Sequence, residues 1–205
     1  MTGLTLPKKC GVMLLPDCTL FPHGGLPLYI FEERYRIMLR RALEGDCIFS
    51  VGRKQEGPDG EDEPASDVGV AGLVRACKER NDGTSELLLH GVIRVRFMEW
   101  FDDEPYPCAE IEPLVSEPLE PSHDEAAMAT LKGAVEDCLS GLPQEVYDGV
   151  MTVMNQADEA GLMTDLAAQQ LVHDVDLRQK LLETLSVGDR VAKLCEFLEK
   201  VRTKK

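Results

Sequence analysis

Three prolines fall within nine residues at Pro113-Leu-Val-Ser-Glu-Pro118-Leu-Glu-Pro121, a stretch that neither a helix nor a central strand can cross. Before it the chain is punctuated by Gly and Pro and carries short β-rich runs; after it the pattern is helical only. The expected organisation is therefore α+β, with a β-rich subdomain at 1–116 and a helical subdomain at 117–205. Two small units suit 205 residues with an apolar fraction of 43%, enough for buried cores.

In the first part, Gly11–Leu15, Leu26–Phe31, Cys47–Val51, Val68–Cys77, Glu86–His90, Val92–Trp100 and Cys108–Ile111 read as short strands. Arg80-Asn-Asp-Gly83 supplies a hairpin turn whose residues tolerate positive φ. Period-two alternation in Val92–Trp100 turns Ile93, Val95 and Phe97 inward, and Gly91 is expected to bend the chain before it. One helix is expected over Glu32–Leu43, with Tyr35, Met38, Leu39 and Ala42 on one side and Gly45 in the left-handed position that ends it. So many short strands imply a small closed barrel, since closure removes unpaired edges. Six acidic residues and no basic one lie between Glu56 and Asp67, which reads as a mobile loop between strands. A cation-binding loop is the alternative there, although the spacing lacks EF-hand grammar.

In the second part, Ser122-His-Asp-Glu125 reads as a capping box opening a helix with the stripe Met128, Leu131, Val135 and Leu139. A second helix follows Pro143 with Val146, Val150, Val153 and Ala157 inward, ending at Gly161. Further helices are expected over Asp165–His173, from near Asp176, and after a Ser186 cap with Val187, Val191, Leu194, Leu198 and Val201 as the stripe. Five helices with short joints make a bundle.

Charge and motifs narrow the chemistry. The formal charge is −15, from 22 Lys and Arg against 37 Asp and Glu, which opposes phosphate neutralisation and a polybasic membrane anchor. No apolar run reaches transmembrane length, and the first ten residues lack a signal-peptide core, so the expected compartment is the cytoplasm. Seven widely spaced cysteines, without C-x-x-C, read as reduced thiols used as small core residues. The chain contains no phosphate-binding G-x-x-x-x-G-K-[ST], no G-x-G-x-x-G and no G-x-S-x-G. His23, His90, His123 and His173 are scattered singletons. No catalytic residue, metal site or cofactor is expected.

Leu20-Phe-Pro-His-Gly-Gly-Leu-Pro-Leu-Tyr-Ile-Phe-Glu-Glu-Arg-Tyr-Arg36 closely resembles the LFPG-x-x-LPLHIFEPRYR signature of the Lon protease N-terminal (substrate-binding) domain family. Val12–Pro16, Asp67–Val74, Asp82–Phe97, Pro105–Glu112 and Leu177–Leu198 resemble further family segments in order. His23-Gly24-Gly25 departs from the usual Pro-Gly turn, and Glu33 stands where Pro is common. The resemblance implies a PUA-like β-barrel followed by a helical bundle, and a stand-alone bacterial member without the ATPase and Ser–Lys peptidase domains of the protease. It implies a non-catalytic module for unfolded or extended polypeptides, an adaptor or chaperone-like factor partnering a protease system. RNA binding by a PUA-like barrel is the alternative, opposed by the acidic charge; a peptidase reading has no motif behind it. Phe21-Pro22 and Leu26-Pro27 fix extended backbone, and Phe31 and Tyr35 are expected to anchor the following helix on the barrel. Tyr29, Phe31, Glu33, Arg34 and Arg36 are the peptide-binding candidates.

Overall fold

The computed structural model describes residues 5–56 and 62–203. The chain divides into two compact units, Met1–Leu114 and Val115–Lys205, and the fold class is α+β.

The first unit holds β1 (Lys9–Leu15), β2 (Gly25–Ile30), α1 (Glu33–Glu44), β3 (Ile48–Glu56), β4 (Asp62–Pro64), β5 (Val68–Glu79), β6 (Ser85–Phe101) and β7 (Cys108–Leu114). Pairing runs β1-β7-β6-β5-β3, and β1 closes the ring by pairing in parallel with β3, Val12 opposite Ser50. The ring takes five strands. β2 hangs on β6 and β4 on β3, so the clean closed barrel expected from the strand count is corrected to a ring with two appended strands.

β6 is the spine. Rather than two strands bent at Gly91, it is one strand of 17 residues, paired with β5 along one side. Its other side is shared end to end: Ser85–His90 pair with β2, and Arg94–Phe101 pair with β7. The hairpin turn expected at Arg80–Gly83 is present, with Gly83 at φ 79° donating its N–H to the Arg80 carbonyl at 2.9 Å. A register shift against Ala71/Gly72 inserts Val92; beyond it Val95 and Phe97 point inward as the alternation predicts, Ile93 is half-buried, and the departure is Arg94, buried although it lies on the alternate face.

The core gathers Val12, Met13, Leu14, Phe21, Phe49, Val51, Val70, Leu89, Val95 and Phe97. Tyr35, Met38 and Leu39 bury the inner face of α1, and the Tyr35 hydroxyl lies 3.3 Å from the Leu14 N–H. Gly45 is not left-handed (φ −112°); the positive φ falls at Cys47 (57°). The acidic stretch is not wholly loop either. Asp62–Pro64 pair with Lys54–Glu56 as a β-ribbon; residues 57–61 lie outside the described residues. Cys10, Cys108 and Cys138 are core thiols, Cys18, Cys47 and Cys195 are half-buried and Cys77 is exposed, so the expected core role fits three of the seven. Burial pushes the Cys10 thiol up to about 11, which makes it inert at neutral pH.

The second unit contains α2 (Pro121–Leu139), α3 (Gln144–Met154), α4 (Ala160–Leu171), α5 (Val175–Glu183) and α6 (Val187–Thr203). Pro121 takes the first position of α2 after Glu120, which places Ser122 inside the helix and leaves no capping box. α3 buries Met151 and Met154 instead of the valine stripe, and Gly161 sits within α4 rather than ending α3. The Asp174 carboxylate caps α5 by accepting from the Leu177 N–H at 2.8 Å, and the Ser186 hydroxyl accepts from the Asp189 N–H at 3.3 Å.

At the centre of this unit the Arg190 guanidinium, 1% exposed, lies 3.3 Å from the Asp165 carboxylate, 5% exposed. It also donates to the Thr184 carbonyl at 2.9 Å and the Ser116 hydroxyl at 3.2 Å. One buried cation thus ties α4, the α5–α6 joint and the segment before α2. Removing one partner of a buried pair strands the other charge, at about 3–5 kcal/mol. Asp165→Ala should lower stability by that amount in urea unfolding, more than Asp189→Ala at the exposed start of α6.

At Gly91 a Cβ would fall 2.1 Å from the Phe21 carbonyl oxygen, a backbone atom with little room to move. Gly91→Ala should therefore cost about 1–3 kcal/mol or more, as overpacking does, with the loss read as a lower unfolding midpoint.

Candidate functional site

The segment that carries the family resemblance begins in the core and ends on the surface. Leu20 and Phe21 are buried; His23 takes φ 62°, its N–H reaches the Gly91 carbonyl at 2.8 Å, and the Gly91 N–H reaches the Gly24 carbonyl at 2.9 Å. The left-handed residue of this bend is thus His23, not one of the two glycines. From there β2 runs antiparallel to β6 with Leu26 opposite Leu89, Leu28 opposite Leu87 and Ile30 opposite Ser85. Among the described residues no strand pairs with the other edge of β2.

Alternation decides which side chains are presented. Tyr29 is 50% exposed and Phe31 61% exposed, and their rings stack with centroids 6.0 Å apart. Phe31 is not the helix anchor expected; Tyr35 alone has that role. Leu88 is 43% exposed and opposite Pro27, while its neighbours Leu87 and Leu89 are buried. Pro27, Tyr29, Phe31 and Leu88 are therefore exposed apolar side chains presented together beside the β2–β6 pairing.

The rim is polar and charged with both signs. The Tyr29 hydroxyl donates to Thr84 Oγ1 at 3.2 Å, and the Arg80 guanidinium sits 5.6 Å from the Tyr29 ring centroid while pairing with Glu86. Thr84 in turn binds Asp82 at 2.7 Å and holds that carboxyl below its ordinary range. Arg36 pairs with Glu33 at 2.9 Å and packs so closely over Gly83 that a Cβ there would meet its Nη2 at 1.9 Å. Arg36 thus fastens α1 to the β5–β6 turn. Arg34 is engaged by Glu32 at 2.9 Å and lies over the Tyr35 ring at 4.6 Å.

Of the five candidates, Tyr29 and Phe31 come together as a ring pair, and Glu33 and Arg36 form an ion pair. Arg34 is turned to Glu32 and Tyr35. Leu88 and Pro27 were missed, although a signal existed: three consecutive leucines in a strand of period two must put the middle one on the opposite face. Among the described residues no group of three or more His, Cys, Asp or Glu is placed to hold a metal ion.

Residues 9–200 match the ATP-dependent protease La (LON) substrate-binding domain family. The chain belongs to that family. The Lon protease of Azorhizobium caulinodans is 27% identical over 192 residues, covering 92% of this chain and 22% of that protein. The Lon protease of Dictyoglomus thermophilum is 25% identical over 197 residues, covering 94% of this chain and 24% of that protein. The chain thus spans about a quarter of the length of these curated relatives. The N-terminal domain of a Mycobacterium avium complex Lon protease superposes with a TM-score of 0.75 at 15% identity, covering 94% of this chain and 98% of that one. A Lon N-terminal domain protein from Xanthomonas campestris gives 0.65 at 21% identity, covering 92% and 98%. These two show the Lon N-terminal fold. No described helix is long and apolar enough to cross a membrane.

His90 borders the Lon-type β2 at the Gly25 end. Burial, the Arg75 charge and the neighbouring His23, 6.3 Å away ring to ring, together hold its pKa below the ordinary 6.5. Between the folded value and 6.5 the unfolded chain takes up the proton more readily, so this contribution is complete above that window and is lost as pH falls through it. His90→Gln should lose less of its thermal midpoint than the parent protein between about pH 7 and pH 5.

Proposed function

We propose that this chain is a non-catalytic polypeptide-binding module that grips non-native, extended segments of other proteins at the Tyr29–Phe31–Leu88 surface. The observation that carries the reading is the stacked, exposed Tyr29–Phe31 pair. Two large rings held in solvent cost hydration free energy in the free protein, and a partner's apolar side chains recover it. Glu33 and Arg36 orient the rim, and Arg34 acts through its contact with Tyr35. Binding of this kind suits an adaptor or chaperone-like factor that delivers clients to a protease system and uses no cofactor. The free thiols fit a reducing compartment, and the cytoplasm is the location the proposal assigns. RNA is the less favoured ligand: exposed rings stack bases, but the chain carries −15, and Glu33 and Glu86 stand beside the rings.

The test is fluorescence anisotropy with a reduced, carboxymethylated, permanently unfolded protein as ligand and no ATP. Burying one large side chain is worth about 1.5–3 kcal/mol, so Tyr29→Ser and Phe31→Ser should each weaken binding roughly tenfold or more. Circular dichroism should leave their fold unchanged, because both side chains are exposed. The parent protein should also slow aggregation of a denatured client. Absence of binding at several-fold excess, or equal binding by the variants, would overturn the proposal.

A further inference from the structure

The backbone of β2 offers recognition of its own, independent of the rings beside it. Pro27 has no N–H, so its pair with Leu88 is one of the non-hydrogen-bonded pairs that alternate along an antiparallel ladder. The Gly25–His90 and Tyr29–Glu86 pairs are then of the same kind, and Leu26, Leu28 and Ile30 make the bonds to β6. The bond from the Gly91 N–H to the Gly24 carbonyl has the same phase. The N–H groups of Gly25 and Tyr29 and the carbonyls of Gly25, Pro27 and Tyr29 are consequently directed at the outer edge, where no described strand pairs with them. Gly25 is exposed although it has no side chain, so main-chain atoms at this edge meet solvent.

We propose that the occupant of this edge is an extended polypeptide strand that adds to β2 through main-chain hydrogen bonds, and that this is how the module accepts clients of many sequences. The inference rests on the polypeptide-binding reading above and deepens it. Donors and acceptors repeat along the edge every second residue, about 6.8 Å, which is the period of an extended backbone and not of a helix. Strand addition takes its affinity from such bonds and its selectivity from alternate side chains. Those side chains land beside Pro27, Tyr29 and Leu88, so they are apolar. The mixed signs of Glu33, Arg36, Arg80 and Glu86 select neither a basic nor an acidic segment. The client is an uncharged, proline-poor stretch with apolar residues at alternate positions, the kind a folded protein keeps buried.

A labelled, end-blocked octapeptide alternating Phe or Val with Ser is the probe, in three forms. One is unmodified, and two carry three N-methyl groups each on alternate residues, in opposite phases. Only one phase removes donors that face β2, so one methylated peptide should bind at least about tenfold more weakly than the other. Which phase suffers reports whether the strand adds parallel or antiparallel. On Phe31→Ser protein both forms should weaken while their ratio is kept. If both phases bind alike while the unfolded protein still binds, strand addition is overturned and the apolar surface stands. Absence of binding by the unmodified peptide while the unfolded protein binds also overturns strand addition, and absence of both removes the two proposals together. A concentration-dependent dimer that excess peptide does not dissolve assigns the edge to a second copy and overturns it as well.

Discussion

The exposed surface depends on one close approach. At Gly91 the middle of β6 passes so near the Phe21 carbonyl that no side chain fits between them. Two hydrogen bonds, from His23 to Gly91 and from Gly91 to Gly24, fasten the crossing, and the buried Leu20 and Phe21 side chains hold it from below. Because β7 occupies only Arg94–Phe101 of this side of β6, the stretch Ser85–His90 is free to take β2. The crossing at Gly91 fills the gap between the two pairings. Everything presented at Gly25–Phe31 inherits its position from that contact.

Beyond the crossing, polar contacts surround the Tyr29 ring. Thr84 holds the Tyr29 hydroxyl and Arg80 lies over its ring, while Arg36 locks α1 against the turn at Gly83. Interactions of this sort add little stability on a surface, but they reduce the ordering that a partner must impose. The second unit is organised differently, around a single buried cation, Arg190, whose partners are drawn from three segments.

Local chemistry made much of this legible. The Asn-Asp-Gly turn, the inner face of α1 and the α6 stripe each follow from a few neighbouring residues. Errors arose where two local rules competed. Pro121 starts α2 and so displaces Ser122 from its apparent cap. In α3 the valines and the methionines both keep helical spacing, and packing chose Met151 and Met154. Gly45 looked like the left-handed residue after α1, yet Cys47 takes that geometry. Arg94 is buried on the face that alternation assigns to solvent, which a period-two pattern does not reveal. For the site, residue type pointed to Tyr29 and Phe31, but the open edge of β2 is a property of strand order across distant segments.

The proposed binding mode seats a client on β2 and its aromatic pair. Backbone amide hydrogen exchange, with and without saturating unfolded client, tests it directly. Slower exchange concentrated at Gly25–Phe31 and Ser85–Leu88, with the amides of Gly25 and Tyr29 most affected, is the expected result. Protection confined to other strands or to α2–α6, with β2 unchanged, would contradict it.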